Sequence, residues 1–166
     1  DEEGEISLCT LAAINWGNIK KPEDFERPCE LAVRALDELL DYQEYPVLAA
    51  ELSTKNRRPL GVGIINFAYW LAKHGTTYTE PDLKLIDEWA EAWSYYLIKT
   101  SADLAKEKGT IPLNEETKYG SGILPIDTYK RDVDDLVKRK LTRNWNELRK
   151  QLKEYGIRNS TLMALM

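Results

Sequence analysis

Hydrophobic positions recur along the chain with two different periods, and this predicts alternating strands and helices. Short apolar runs bounded by turn residues predict three strands, at residues 6–14, 62–65 and 157–166. Spacings of three and four between apolar residues predict amphipathic helices, at residues 25–40, 66–73, 81–108, 132–140 and 145–155. Long helical connections favour parallel strands with right-handed crossovers. The pattern therefore predicts an α/β fold that three strands do not complete.

Local signals predict where several of these helices begin and end. Pro28 is compatible with the first helix only in its first turn. Pro81 is predicted to occupy the first position of the longest helix, and Gly109 is predicted to end it. Asn144 and Glu147 have the spacing of a capping box. The tryptophans and tyrosines along the longest helix are interpreted as core residues.

Two neighbouring segments have features that a phosphate site would also show. The basic cluster "KNRRP", residues 55–59, is predicted to be a solvated loop. Gly61 and Gly63 precede a predicted helix, but Asn66 stands where a dinucleotide-binding loop needs its third glycine. We interpret the two glycines as sites of close backbone packing. The single histidine, His74, is explained by its place at the end of a helix.

Composition places the chain among folded globular proteins. Its 166 residues, 43% hydrophobic and 31% charged, predict one segment of a single domain over residues 1–166, with no separate second domain. The net charge of -5 argues against a nucleic-acid partner. No apolar run approaches the roughly 18 residues of a membrane span, so no membrane partner is predicted. Two cysteines do not make a disulfide framework, which favours a reducing compartment and a cytoplasmic location.

The candidate chemistry is limited to one thiol. One histidine and two distant cysteines do not supply a zinc site, so no metal is predicted. A catalytic triad would depend on His74, and no nucleophile elbow accompanies it. Cys9, in the apolar stretch "GEISLCTLAAINWG", has two interpretations: a small hydrophobic residue in a buried strand, or a redox cysteine. The residues alone leave both open.

Five segments resemble the large, catalytic subunit of the class I aerobic ribonucleotide reductases. They are "GEISLCTLAAINWG", "LAVRALDELLDYQEYP", "RRPLGVGIINFAYWLAKHG", "GILPIDTYK" and "GIRNSTLMALM". They occur in the family's order and extend nearly from end to end of the chain. The resemblance implies a helix-rich part of a ten-stranded α/β barrel, at the start of the second of two half-barrels. The absence of an initiator Met and the apolar last residues also predict a piece of a longer chain.

The resemblance implies an oxidoreductase that converts ribonucleoside diphosphates to deoxyribonucleotides for DNA synthesis. In the family, a thiyl radical activates the ribose, and a pair of cysteines supplies the reducing equivalents and ends as a disulfide. "LCTL" carries one member of that pair, so the resemblance assigns a redox role to Cys9 and places its partner outside this segment. Leu11 lies two residues on and on the same face, and it is expected to line the substrate pocket. Cys29 matches no functional position and is interpreted as structural.

The resemblance also implies the partners of the whole enzyme. These are the remainder of the large subunit, a small radical-generating subunit, thioredoxin or glutaredoxin as reductant, and allosteric ATP and deoxynucleotides. No cofactor is expected on this segment itself. The family's radical-cysteine loop and phosphate-binding turn do not occur in the chain, so the segment is expected to be inactive alone. Two alternatives stay open: a split-gene piece that assembles in trans, and a non-enzymatic partner-binding module of the same fold.

Overall fold

The computed structural model describes residues 4–128 and 135–164. Within these ranges, strands β1 (Thr10–Asn15) and β2 (Leu60–Ile65) pair in parallel. The register places Leu11 beside Gly61. The predicted parallel α/β arrangement is therefore confirmed, although the first strand begins later than predicted. The described residues form an open two-stranded sheet and not a closed barrel.

Helices hold many more of the described residues than the strands do. They are α1 (Glu26–Tyr42), α2 (Leu48–Arg57), α3 (Phe67–Lys73), α4 (Leu83–Lys108), α5 (Pro125–Thr128) and α6 (Trp145–Tyr155). Short 3-10 turns follow β1, precede α1 and lie between α4 and α5. Within the described ranges, every helix is too short or too polar to span a lipid bilayer.

The prediction of a solvated basic loop at residues 55–59 is wrong. Lys55 and Arg57 lie in the last turn of α2, where cations interact favourably with the carbonyl end of a helix. Arg58 ends the helix in the left-handed conformation, with φ of 44°, and its side chain is buried. A buried guanidinium requires charged partners, so this segment is part of the fold and not a solvated connection.

The third predicted strand, residues 157–166, is only partly realised. Residues 161–164 run along the other edge of β2, with one parallel bridge between Val62 and Met163. The amide of Leu60 donates to the Thr161 carbonyl at 3.0 Å, and that of Val62 to the Leu162 carbonyl at 2.8 Å. The two donating amides are two residues apart in β2, but the carbonyls that accept from them belong to adjacent residues. In a regular parallel ladder the accepting carbonyls would also be two residues apart, so the ladder is irregular here. Residues 165 and 166 lie outside the described residues.

The ends of the long helices match some of the sequence signals. The prediction that Pro81 is the first residue of its helix is wrong, because the Asp82 side chain accepts from the Leu85 amide at 3.0 Å and caps a helix that begins at Leu83. Gly109 ends α4, as predicted.

The two helices predicted after α4 have different outcomes. The Asn144 side chain accepts from the Glu147 amide at 3.2 Å, which confirms half of the predicted capping box. In the helix predicted at 132–140, residues 132–134 lie outside the described residues, and residues 137–140 are not helical.

The helices cover one face of the sheet and bury an aromatic core there. Ile14, Leu60 and Val62 point into this core from the strands. The Trp16 ring packs edge-on against Trp70, with centroids 5.4 Å apart. The aromatic stripe of α4 was predicted to be core, and its buried tryptophans confirm this. The candidate site lies on the opposite face of the sheet.

Glu91 is a buried carboxylate that ties α4 to the segment leading into α6. It accepts hydrogen bonds from the Thr142 amide at 2.8 Å, the Arg143 amide at 2.9 Å and the Trp145 indole at 3.0 Å. Arg139 adds an ion pair at 2.6 Å. Burial alone would raise the pKa of Glu91, but these donors outweigh it and hold the pKa below the ordinary value of 4.5.

We expect Glu91 to make the stability of the fold pH-dependent. Its pKa is lower in the folded state, so its contribution is fully present above about pH 4.5 and is lost as the pH falls through the folded pKa. Glu91→Gln should therefore remove part of the acid sensitivity. The measurement is urea unfolding at neutral pH and at about pH 4. Glu51→Gln, on an exposed part of α2, is the control; the interpretation is wrong if both variants show the same pH dependence.

Candidate redox site

The face of the sheet that points away from the helices is built by alternation along both strands. In β1, Leu11 and Ala13 point to this face, while Ile14 points to the core. Leu11 is 56% exposed and Ile14 only 6%. The parallel register brings Gly61 and Gly63 of β2 beside the two β1 residues. This face of the sheet is therefore apolar, and except for Leu11 these residues have small side chains or none.

Cys9 lies directly before β1 and places its thiol over Gly61. A Cβ atom at Gly61 would lie 3.0 Å from the Cys9 Sγ, 2.6 Å from the Leu11 Cδ2 and 3.0 Å from the Ala164 Cβ. Three side chains therefore converge on a point that only glycine leaves unoccupied. For Gly61, the predicted close packing is confirmed. The structure also brings Cys9 and Leu11 to one face, as the sequence predicts.

The small residue that lies beside the thiol is distant from Cys9 in the sequence. Ala12 and Ala13 follow Cys9 in the chain, but Ala12 packs against the helical core. Gly61, distant in sequence, lies beside the Cys9 sulfur, and Ala164 packs on the same glycine. A glycine inside a predicted strand was a signal for close approach, but nothing in the sequence shows which side chain approaches it.

The two thiols have different environments. Cys9 is exposed, and partial burial raises the pKa of its thiol. Cys29 is 0% exposed within α1, and burial raises its pKa strongly. The Cys29 thiol lies 3.8 Å from the Trp93 carbonyl, to which it donates a weak hydrogen bond. Cys29 thus has the position of a core residue, and Cys9 is the thiol that a second thiol can reach.

We expect alkylation to separate the two cysteines. Iodoacetamide should modify Cys9 in the native chain, faster as the pH rises, because the thiolate is the nucleophile and the thiol pKa is raised. Cys29 should react only after urea unfolding. The measurement is the rate of mass gain on each cysteine-containing peptide. Equal native rates at the two positions would contradict the geometry.

The other candidates from the sequence have structural partners. The His74 Nδ1 lies 2.8 Å from the Trp70 carbonyl, and the two rings pack with centroids 4.5 Å apart. Lys55, Arg57 and Arg58 each form an ion pair with a carboxylate of the chain. These contacts account for the histidine and for the basic cluster without a phosphate ligand.

Comparison with known proteins gives the context of this thiol. The family model described as "Ribonucleotide reductase, barrel domain" matches residues 1–166. The chain belongs to the ribonucleotide reductase barrel-domain family. The family resemblance deduced from the sequence is thus confirmed, and the open sheet described above is part of a barrel domain.

The relatives are large subunits of ribonucleotide reductases. The chain is 53% identical over 167 residues to ribonucleoside-diphosphate reductase subunit alpha of Haemophilus influenzae, with all of this chain and 22% of the relative covered. It is 53% identical over 128 residues to ribonucleoside-diphosphate reductase 1 subunit alpha of Escherichia coli K12, covering 76% of this chain and 17% of the relative. It is 45% identical over 166 residues to subunit alpha of phage T4, with 99% and 22% covered. The chain therefore spans about a fifth of the length of these ribonucleotide reductase subunits.

Proposed function

We propose that the chain forms part of the catalytic barrel of a ribonucleoside-diphosphate reductase large subunit, and that Cys9 is one of the two thiols that reduce the substrate. One observation carries the proposal. In a chain that matches the family over its whole length, the exposed thiol of Cys9 lies with Leu11 over Gly61, on the sheet face that the helices leave open.

The proposed chemistry needs two thiols within bonding distance. The C2′ hydroxyl of the ribose leaves as water, and two thiols supply two electrons and two protons while their sulfur atoms join in a disulfide. A disulfide requires Cα atoms about 4.4–6.8 Å apart, which neighbouring strands provide. β2 pairs with one edge of β1, and no other described strand pairs with the opposite edge. A strand from the remainder of the large subunit, paired with that edge, would bring the partner thiol to Cys9.

The other proposed roles follow from the same face. Leu11 would contact the ribose, since its side chain and the Cys9 sulfur both adjoin Gly61. The oxidised pair would be reduced by thioredoxin or glutaredoxin through thiol exchange, and this requires the exposure that Cys9 has. The radical would come from a small subunit, and ATP and deoxynucleotides would regulate the whole enzyme. We place this chemistry in the cytoplasm, where thiols stay reduced.

The proposal is tested in a chimera, in which this chain replaces the matching residues of the Haemophilus influenzae alpha subunit. With the small subunit and a thioredoxin system, the chimera should convert ribonucleoside diphosphates over many turnovers. The chain alone should convert none, because the radical cysteine and the phosphate turn of the family do not occur in it. A folded chimera without turnover, or deoxynucleotide made by the purified chain, would contradict the proposal.

A further inference from the structure

The segment that brings Ala164 to Gly61, beneath the thiol, is attached to β2 by an irregular ladder. Its carbonyls at Thr161 and Leu162 both accept from β2, and the Ala164 amide donates back to the Val62 carbonyl at 3.2 Å. Backbone hydrogen bonds alone do not specify the register of a strand, because a slipped strand forms equivalent bonds; side-chain contacts and the way the chain enters the strand do. Side-chain contacts must therefore determine which residue lies beside Gly61.

A buried polar cluster lies at the start of this segment. Asn159 is 0% exposed, and its amide donates to the Asp37 carboxylate at 3.0 Å and to the Arg58 carbonyl at 3.1 Å. The Ser101 hydroxyl donates to the Asn159 side-chain oxygen at 2.8 Å. One side-chain amide therefore joins α1, α4 and Arg58, the residue that ends α2.

Both oxygens of the buried Asp37 carboxylate are paired with arginines. Arg58 Nε donates to the same Asp37 oxygen at 2.7 Å, and Arg158 Nε lies 3.3 Å from the other. Asp37 is completely buried and Arg58 is nearly so. A displaced Asn159 would leave a buried carboxylate and an amide without their hydrogen bonds, which is costly.

We propose that Asn159, held by Asp37, Arg58 and Ser101, is a positioning residue for the thiol chemistry: it sets the register of residues 160–164 and thereby the side chain packed on Gly61, the residue beneath the Cys9 thiol. The inference rests on the proposed role of Cys9. A shift of one residue turns every side chain of a strand to the other face. It would replace the Ala164 methyl at Gly61, the glycine on which the Cys9 sulfur also packs, with a larger side chain. The cluster touches neither thiol nor substrate, so Asn159 acts through the segment.

Asn159→Ala, made in the chimera and in the chain, tests the proposal. Release of the segment should loosen the packing at Gly61, on which the Cys9 sulfur lies, so alkylation at Cys9 should become faster and its pH profile should shift to lower pH. Turnover by the chimera should fall about tenfold or more, since small displacements of reacting groups are costly. Ser101→Ala keeps every charge of the cluster paired and should give a smaller change in the same direction. Glu91→Gln, in the other buried cluster, is the control for lost stability.

The outcomes separate positioning from stability. The proposal is overturned if the Asn159→Ala variant, studied where it is fully folded, has the alkylation profile and the turnover of the Glu91→Gln control. If Asn159→Ala does not fold, an unchanged profile and turnover in Ser101→Ala would overturn it equally. If the unmodified chimera has no turnover, the proposed function fails, and the alkylation profiles of the chain still decide whether Asn159 positions the segment beside Cys9.

Discussion

Cys9→Ser should abolish multiple turnover in the chimera while leaving its fold intact. A serine oxygen cannot form a disulfide, so the two reducing equivalents are no longer delivered and no oxidised pair is regenerated. The hydroxyl is slightly smaller than the thiol and fits the space above Gly61, where the sulfur lies 3.0 Å from the position of a Cβ. The measurement is deoxynucleotide formed per enzyme with a thioredoxin system.

Cys29→Ser is the matched control for this loss. The Cys29 side chain is completely buried and faces the Trp93 carbonyl, to which a serine hydroxyl can also donate. The variant should lose about 1 kcal/mol of stability and keep its turnover. Normal multiple turnover by Cys9→Ser would exclude the redox role of Cys9, and equal loss in both variants would show that the effect is structural.

Arg58→Ala should destabilise the chain strongly. Its guanidinium pairs with Asp37 at 2.7 Å and with Asp41 at 2.8 Å, and it donates to the Asp37 carbonyl at 2.6 Å. The hydrogen bonds from Arg58 hold the pKa of Asp41 well below its usual range. Removal of one partner of a buried ion pair typically costs 3–5 kcal/mol, so we expect a loss of about that size.

Arg27→Ala is the control for the arginine substitution. Arg27 pairs with Glu30 at 2.9 Å, but 70% of its side chain is exposed, and such pairs contribute about 0.5 kcal/mol or less. Urea unfolding of both variants at neutral pH compares them. If Arg58→Ala lowers the free energy of unfolding no more than Arg27→Ala does, the buried ion pairs of Arg58 do not stabilise the fold.

The elements that the sequence predicts well are those with a strong apolar period. α1 and α4 bury large side chains at spacings of three and four, and β2 is a short apolar run. α2 was missed because its buried face consists of small residues: Ala49, Ala50, Ser53 and Thr54. The third strand was predicted from apolar residues alone, and hydrophobicity does not show that its ladder with β2 is irregular.

The candidate site was predictable only in part. Strand alternation places Cys9 and Leu11 on one face, but residue patterns alone do not distinguish a redox thiol from a small buried one, and only the family resemblance favours the redox interpretation. Gly61 and Ala164 could not be assigned to the thiol in advance, because their approach depends on register between distant segments. The cluster around Asn159 depends on such contacts too, since its partner Asp37 is far away in the chain.

Disulfide mapping after a single turnover tests the central claim most directly. The reduced chimera, supplied with the small subunit and substrate but no external reductant, should form deoxynucleotide until its thiols are spent. Digestion and mass spectrometry should then find Cys9 joined to a cysteine from outside this chain, with Cys29 still a thiol. If product accumulates in proportion to enzyme while Cys9 stays a thiol, Cys9 is not a reducing group of the site.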